Sequence, residues 1–153
     1  MFKICRHLLL VLLTLSFVHC SNYGDKATIE HIDVYYKNGI TKVQAQQTAD
    51  LLYYIDTTYN ENISETKSFQ LLKQNDTVTF RMVVVQEKLA SVDDGSFLAI
   101  SNLISEDVFD QKPVNIELTD NKFNTLRKLP FTKMDISEEI PATPGEKEKD
   151  PKP

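Results

Sequence analysis

One local pattern occurs twice and restricts the possible folds more than any other feature: a run with helical spacing, then two alternating runs joined by a short polar turn. In the first copy Ala45, Ala49, Leu52, Ile55 and Tyr59 fall on one face of a helix. Its start is marked by Thr41-Lys42-Val43-Gln44 (a capping box), in which Thr41 and Gln44 can each satisfy the other's backbone N–H. Ile40 and Ala45 are spaced for the accompanying hydrophobic staple. KSFQLLK (67–73), the turn Gln74-Asn75-Asp76, and the run from Thr77 to Gln86 then read as a β-hairpin. There Val78, Phe80, Met82 and Val84 alternate with Thr79 and Arg81, and Val83-Val84-Val85 predicts a strand end covered on both faces. In the second copy Phe97, Ile100, Leu103, Ile104 and Val108 form the helical stripe. Val114, Ile116 and Leu118, the turn TDNK (119–122), and Phe123 to Leu129 form its hairpin.

Ahead of both copies, Ile32, Val34 and Tyr36 alternate with His31, Asp33 and Tyr35, predicting a half-buried strand that ends at Asn38-Gly39. The expected order is therefore β-αββ-αββ. Strands joined by tight turns are antiparallel, and helices with one apolar face must cover one side of the sheet. The expectation is an α+β two-layer sandwich, a mainly antiparallel sheet with two helices on one face. The stretches VYYKNGITKVQAQQTADLL, SFQLLKQNDTVTFRMVV and VFDQKPVNIELTDNKFNTLR resemble an uncharacterised bacterial α+β domain of envelope and membrane proteins. The resemblance covers about Asp33 to Lys128 and implies the same fold. It carries no catalytic residue.

The N-terminus argues an address. Lys3 and Arg6 precede an apolar run from Leu8 to Val18, broken only by Thr14 and Ser16. Those eleven residues have the length of a signal-peptide core, whereas a membrane-spanning helix needs about 20. The run closes on Phe17-Val18-His19-Cys20, which resembles the lipobox of bacterial lipoproteins, with His19 standing where a small residue is usual. The resemblance implies cleavage before Cys20 and lipidation of its thiol. Ordinary signal-peptidase cleavage after Cys20 is the alternative. Cys5 leaves with the leader, so Cys20 would be the one cysteine of the processed chain, and acylation would remove a reactive thiol. The expected division is a signal peptide over 1–19, lipidated Cys20 and a short tether over 20–26, the α+β domain over 27–135, and a disordered tail over 136–153. That tail holds four of the six prolines and is dense in charge.

Charge and residue inventory exclude several chemistries. Without residues 1–19 the 17 basic side chains fall to 15 against 22 acidic, so the net charge moves from −5 to −7. Such a chain repels phosphate backbones, so nucleic acid is not an expected partner. Of His7, His19 and His31 only His31 remains, too few for a His/Cys metal site; no metal and no cofactor is expected. His31 sits opposite the apolar positions of its strand, an exposed and non-catalytic placement. Asp93-Asp94-Gly95 reads as a helix cap. Tyr35-Tyr36 and Tyr53-Tyr54 each place one ring inward and one outward, and Tyr35, Tyr53 and His31 are the candidate recognition surface. The expected function is non-catalytic: a lipid-anchored cell-envelope module, on the outer-membrane or periplasmic face, that binds another envelope protein or a small ligand. A soluble secreted inhibitor or immunity-type protein is the alternative. A hydrolase using paired carboxylates is the third reading.

Overall fold

The computed structural model describes residues 23–60, 65–91 and 93–134. The leader, Cys20 and the tail after 134 lie outside the described residues. Among the described residues six strands and two long helices follow in the order β1 (Asp25–Ile29), β2 (Ile32–Lys37), α1 (Lys42–Tyr59), β3 (Lys67–Gln74), β4 (Thr77–Val83), a 3-10 turn (Gln86–Ser91), α2 (Asp94–Val108), β5 (Val114–Thr119) and β6 (Thr125–Leu129). The strands form one sheet in chain order, β1 to β6. Among the described residues no helix is long and apolar enough to cross a membrane.

The α+β class holds, with two corrections. The sheet is mixed: the hairpins β1–β2, β3–β4 and β5–β6 are antiparallel, but β2 pairs with β3 and β4 with β5 in parallel. The reason is mechanical. A helix of 15 to 18 residues carries the chain back to the end at which the preceding strand began, so the next strand starts in the same direction. The order also gains a strand, since Asp25–Ile29 pairs with β2 where a tether over 20–26 was expected. DKATI hides itself because it is a charged edge strand with a single fully buried side chain, Ala27. The molecule is thus three hairpins joined by two helical crossovers.

Both helices lie on the same face and touch each other. The register shows why that face is chosen. Two rows crossing all six strands, Ala27–Val34–Phe69–Met82–Leu118–Arg127 and Asp25–Tyr36–Leu71–Phe80–Ile116–Leu129, supply most of the sheet's buried apolar side chains. The row between them, on the other face, reads Lys26–Tyr35–Gln70–Arg81–Glu117–Lys128. On that face Arg81 donates to Gln70, Glu117, Thr125 and the Phe123 carbonyl, while Tyr23, Tyr35 and Phe123 pack edge to face above it. Gln70 is buried there without loss, because its amide bonds both Arg81 and the Tyr23 carbonyl.

Local signals were well placed. Thr41 caps α1 with both bonds of the capping box, and Ile40 and Ala45 are buried. Asp93 caps α2 by accepting from the Ser96 N–H. Asn75 and Asp76 both take the left-handed region, as a two-residue turn that matches strand twist requires. The predicted cover over Val83-Val84-Val85 is absent at its end: β4 stops at Val83 and Val85 is exposed. On α2 the buried stripe includes Ser101 and Ser105, whose hydroxyls donate to the Val114 and Lys112 carbonyls and lace the helix to the entry of β5.

Gly24, at the entry to β1, has φ +95°, and a Cβ there would run into the Tyr36 carbonyl oxygen. Gly39 also has positive φ but faces open space, with Lys73 Cδ 3.9 Å away as its one neighbour. Gly24→Ala should therefore cost about 2 kcal/mol or more, against about 1 kcal/mol for Gly39→Ala, where only the backbone preference is lost. Urea denaturation of the two variants compares them; equal losses would mean that the approach of Gly24 to β2 is not tight.

Candidate functional site

A groove of about 800 Å³ opens between the two helices at one end of the sheet. Leu52 and Ile55 of α1 face Ile100 of α2 across it, and Phe69, Met82 and Val84 form its apolar base. Asp56, Glu65, Lys67 and Asp120 are the charged groups along its lining. The volume lies within the range of ligand pockets, which are mostly apolar with a few placed polar groups.

Asp56 organises one wall. It occupies the last position of the buried stripe Ala45, Thr48, Ala49, Leu52, Asp56, where a further apolar residue would be ordinary. It also sits in the last turn of α1, where the helix dipole disfavours an anion and no basic residue is present. The compensation comes from other elements. His31 Nε2 lies 2.6 Å from Asp56 Oδ2, Lys67 Nζ pairs with Oδ1, and Asn60 Nδ2 donates to Oδ1 at 2.5 Å. The Lys67 N–H also donates to the His31 carbonyl at 2.8 Å, so backbone and side chains join the β1–β2 turn, the end of α1 and the start of β3. Burial of Asp56 opposes its ionisation. The bonds from Lys67, His31 and Asn60 outweigh that and hold its carboxyl below the ordinary value.

Asp120, in the β5–β6 connection, is likewise held below its ordinary value, by the Asn124 side chain and the backbone N–H groups of Asn124 and Lys122. Among the described residues no group of three or more His, Cys, Asp or Glu is placed to hold a metal ion.

The three residues expected to form a recognition surface separate. His31 is in a turn, not on an outward strand position: Glu30 takes φ 48° and the His31 ring is turned onto Asp56, leaving its side chain 14% exposed. Tyr53 packs against the core and lies beside His31, ring centroids 5.7 Å apart, while its neighbour Tyr54 is the exposed member of the pair. Tyr35 is on the opposite face of the sheet, beneath Tyr23 and Phe123. Cys20 lies outside the described residues. Asp56 and the groove were missed, although the acid closing an otherwise small and apolar helical stripe was a readable signal.

Architecture and site define a class: a mixed-sheet α+β domain of three hairpins, with an apolar groove where its helices fail to cover the sheet. Residues 26–130 match the family model described as the AF_1994_N family N-terminal domain, and the chain belongs to that family. No curated protein and no solved structure matches it.

Asp56→Asn removes the charge that Lys67 and His31 share and should cost about 2 kcal/mol at neutral pH. Because the folded-state value is depressed, this contribution is present above the ordinary value of 3.8 and is lost as the pH falls through the lower folded value. The gap between wild type and variant, followed by denaturation at a series of pH values, should close in acid. A variant as stable as wild type at neutral pH would show that Asp56 is not a joint.

Proposed function

We propose that this chain is a non-catalytic binding module of the bacterial cell envelope, anchored through lipid on Cys20, which takes its partner or ligand in the groove between α1 and α2. The groove is the observation that carries the binding half: Ile55, Met82, Val84 and Ile100 remain partly exposed around about 800 Å³ that a stable core would fill. The anchoring half is supported by the basic start, the eleven-residue apolar run and the thiol that ends it.

The reading as a carboxylate-dependent hydrolase is less well supported. Such an enzyme keeps one acid protonated near neutrality. Asp56 and Asp120, two of the acids on the groove, are both pushed the other way. Nucleic acid remains a poor partner for a chain of net charge −5.

Labelled palmitate should enter the wild-type protein in its host and be lost in Cys20→Ala. Mass spectrometry should then find an acylated Cys20 as the first residue; a free Ser21 would replace the anchored reading with the secreted inhibitor or immunity-type one. For the groove, a photoreactive side chain at the exposed rim position Val85 should crosslink a defined partner in intact envelopes. The same group at Val43, exposed on α1 but not lining the groove, should not. Matching products from both positions would mean that the groove is not where the partner binds.

A further inference from the structure

The groove sets charged groups around an apolar base, and their sign bears on what it holds. Among the described residues three carboxylates, Asp56, Glu65 and Asp120, border it against one cation, Lys67. That cation is committed to Asp56. Asp120 is kept ionised by its bonds to Asn124 and Lys122, and Glu65 is exposed. An occupant therefore meets an apolar base, Phe69, Met82 and Val84, inside a rim of net negative charge.

We propose that the groove binds a peptide segment of another protein in which apolar side chains are flanked by lysine or arginine. The proposal rests on the binding-module reading and names the partner's chemistry. Fatty acids and phospholipids present an anion at the end of their apolar chain, which this rim repels. The groove is also open along its solvent side, which would leave an acyl chain half in water. A peptide can lay apolar side chains on the base and carry its polar backbone along that open side. The space between Leu52, Ile55 and Ile100 admits a few side chains, as in grooves that take short anchored segments.

The test uses the full mature chain with three fluorescent probes: a short peptide with a Leu-Val-Phe-Leu centre flanked by lysines, the same centre flanked by glutamates, and a fatty acid. The lysine peptide should bind about tenfold more tightly than the glutamate peptide at about 50 mM salt, and the advantage should shrink at about 500 mM. Ile100→Trp fills the groove and should abolish binding, with its fold checked by circular dichroism. Glu65→Lys, an exposed change that leaves packing intact, should weaken the lysine peptide about threefold and strengthen the glutamate peptide. Equal affinity for the two peptides, or binding indifferent to both substitutions, would overturn the proposal. Fatty-acid binding that Ile100→Trp removes, with neither peptide bound, would overturn the peptide assignment and leave the groove as a binding site. Binding of none of the probes, together with identical crosslinking from Val85 and Val43, would end both readings.

Discussion

Covering one face of the sheet and leaving the other open is the constraint from which the rest of the molecule follows. The strands run in chain order across the sheet, with β2 and β3 pointing one way and β4 and β5 the other. Two crossovers that step in the same direction over antiparallel halves have opposite hands when both helices lie on one face. One of them is therefore left-handed, although about 98% of such connections are right-handed. Two right-handed crossovers would put one helix against the row of Tyr35, Gln70, Arg81 and Glu117. Its apolar stripe would then face polar side chains, while Val78, Phe80, Ile116 and Leu118 lost their cover on one half of the sheet. Each of those buried side chains contributes about 1.5–3 kcal/mol. Handedness is a preference of twist and packing, and here the burial pattern is the larger effect.

The open face shows what a sheet does without a helix above it. Arg81 and Glu117 pair at 3.0 Å across the parallel β4–β5 junction, and Thr125 and Lys128 bond Glu117 from β6. Burial of Glu117 opposes its charge, yet the bonds from Thr125 and Lys128 and the nearby Arg81 hold its carboxyl below the ordinary value. Tyr23, Tyr35 and Phe123 add a small apolar cap at the other side of the row. These contacts make the face self-satisfied: its polar groups are spent on each other. On the helix side, by contrast, apolar surface is left over around Ile55, Met82, Val84 and Ile100.

Legibility in the sequence tracked the range of the interaction. The capping box at Thr41, the cap at Asp93, the turn at Asn75-Asp76 and the alternation of Val78, Phe80 and Met82 are decided within a few residues, and all were readable. The parallel pairings were not, because alternation shows which face a residue takes and not which strand lies beside it. β1 escaped because an edge strand needs only one buried residue, Ala27, and its charges are its protection against pairing with other chains. His31 lies one residue outside the strand: the alternation starts only at Ile32, and the turn before it gives His31 to Asp56, 25 positions away. No local pattern encodes that meeting. Tyr53 and Tyr54 were correctly read as one inward and one outward, with the assignment reversed.

The groove itself has a local cause on each helix. On α1 the stripe of Ala45, Ala49 and Leu52 would continue at position 56, but that place holds an acid, and Tyr59 turns outward, 78% exposed. On α2 the first turn, Asp94-Gly95-Ser96, has no apolar side chain before Phe97. Two antiparallel helices therefore both run out of apolar cover at the same end of the sheet, above Phe69, Met82 and Val84. A leucine at position 56 would close that gap and remove the need for Lys67 and His31 as compensating partners. The chain instead carries a buried carboxylate with three bonded donors, an arrangement that seldom stabilises more than an apolar residue of similar size. Its yield is a fixed, charged wall beside an apolar base, Phe69, Met82 and Val84, that the two helices leave partly exposed.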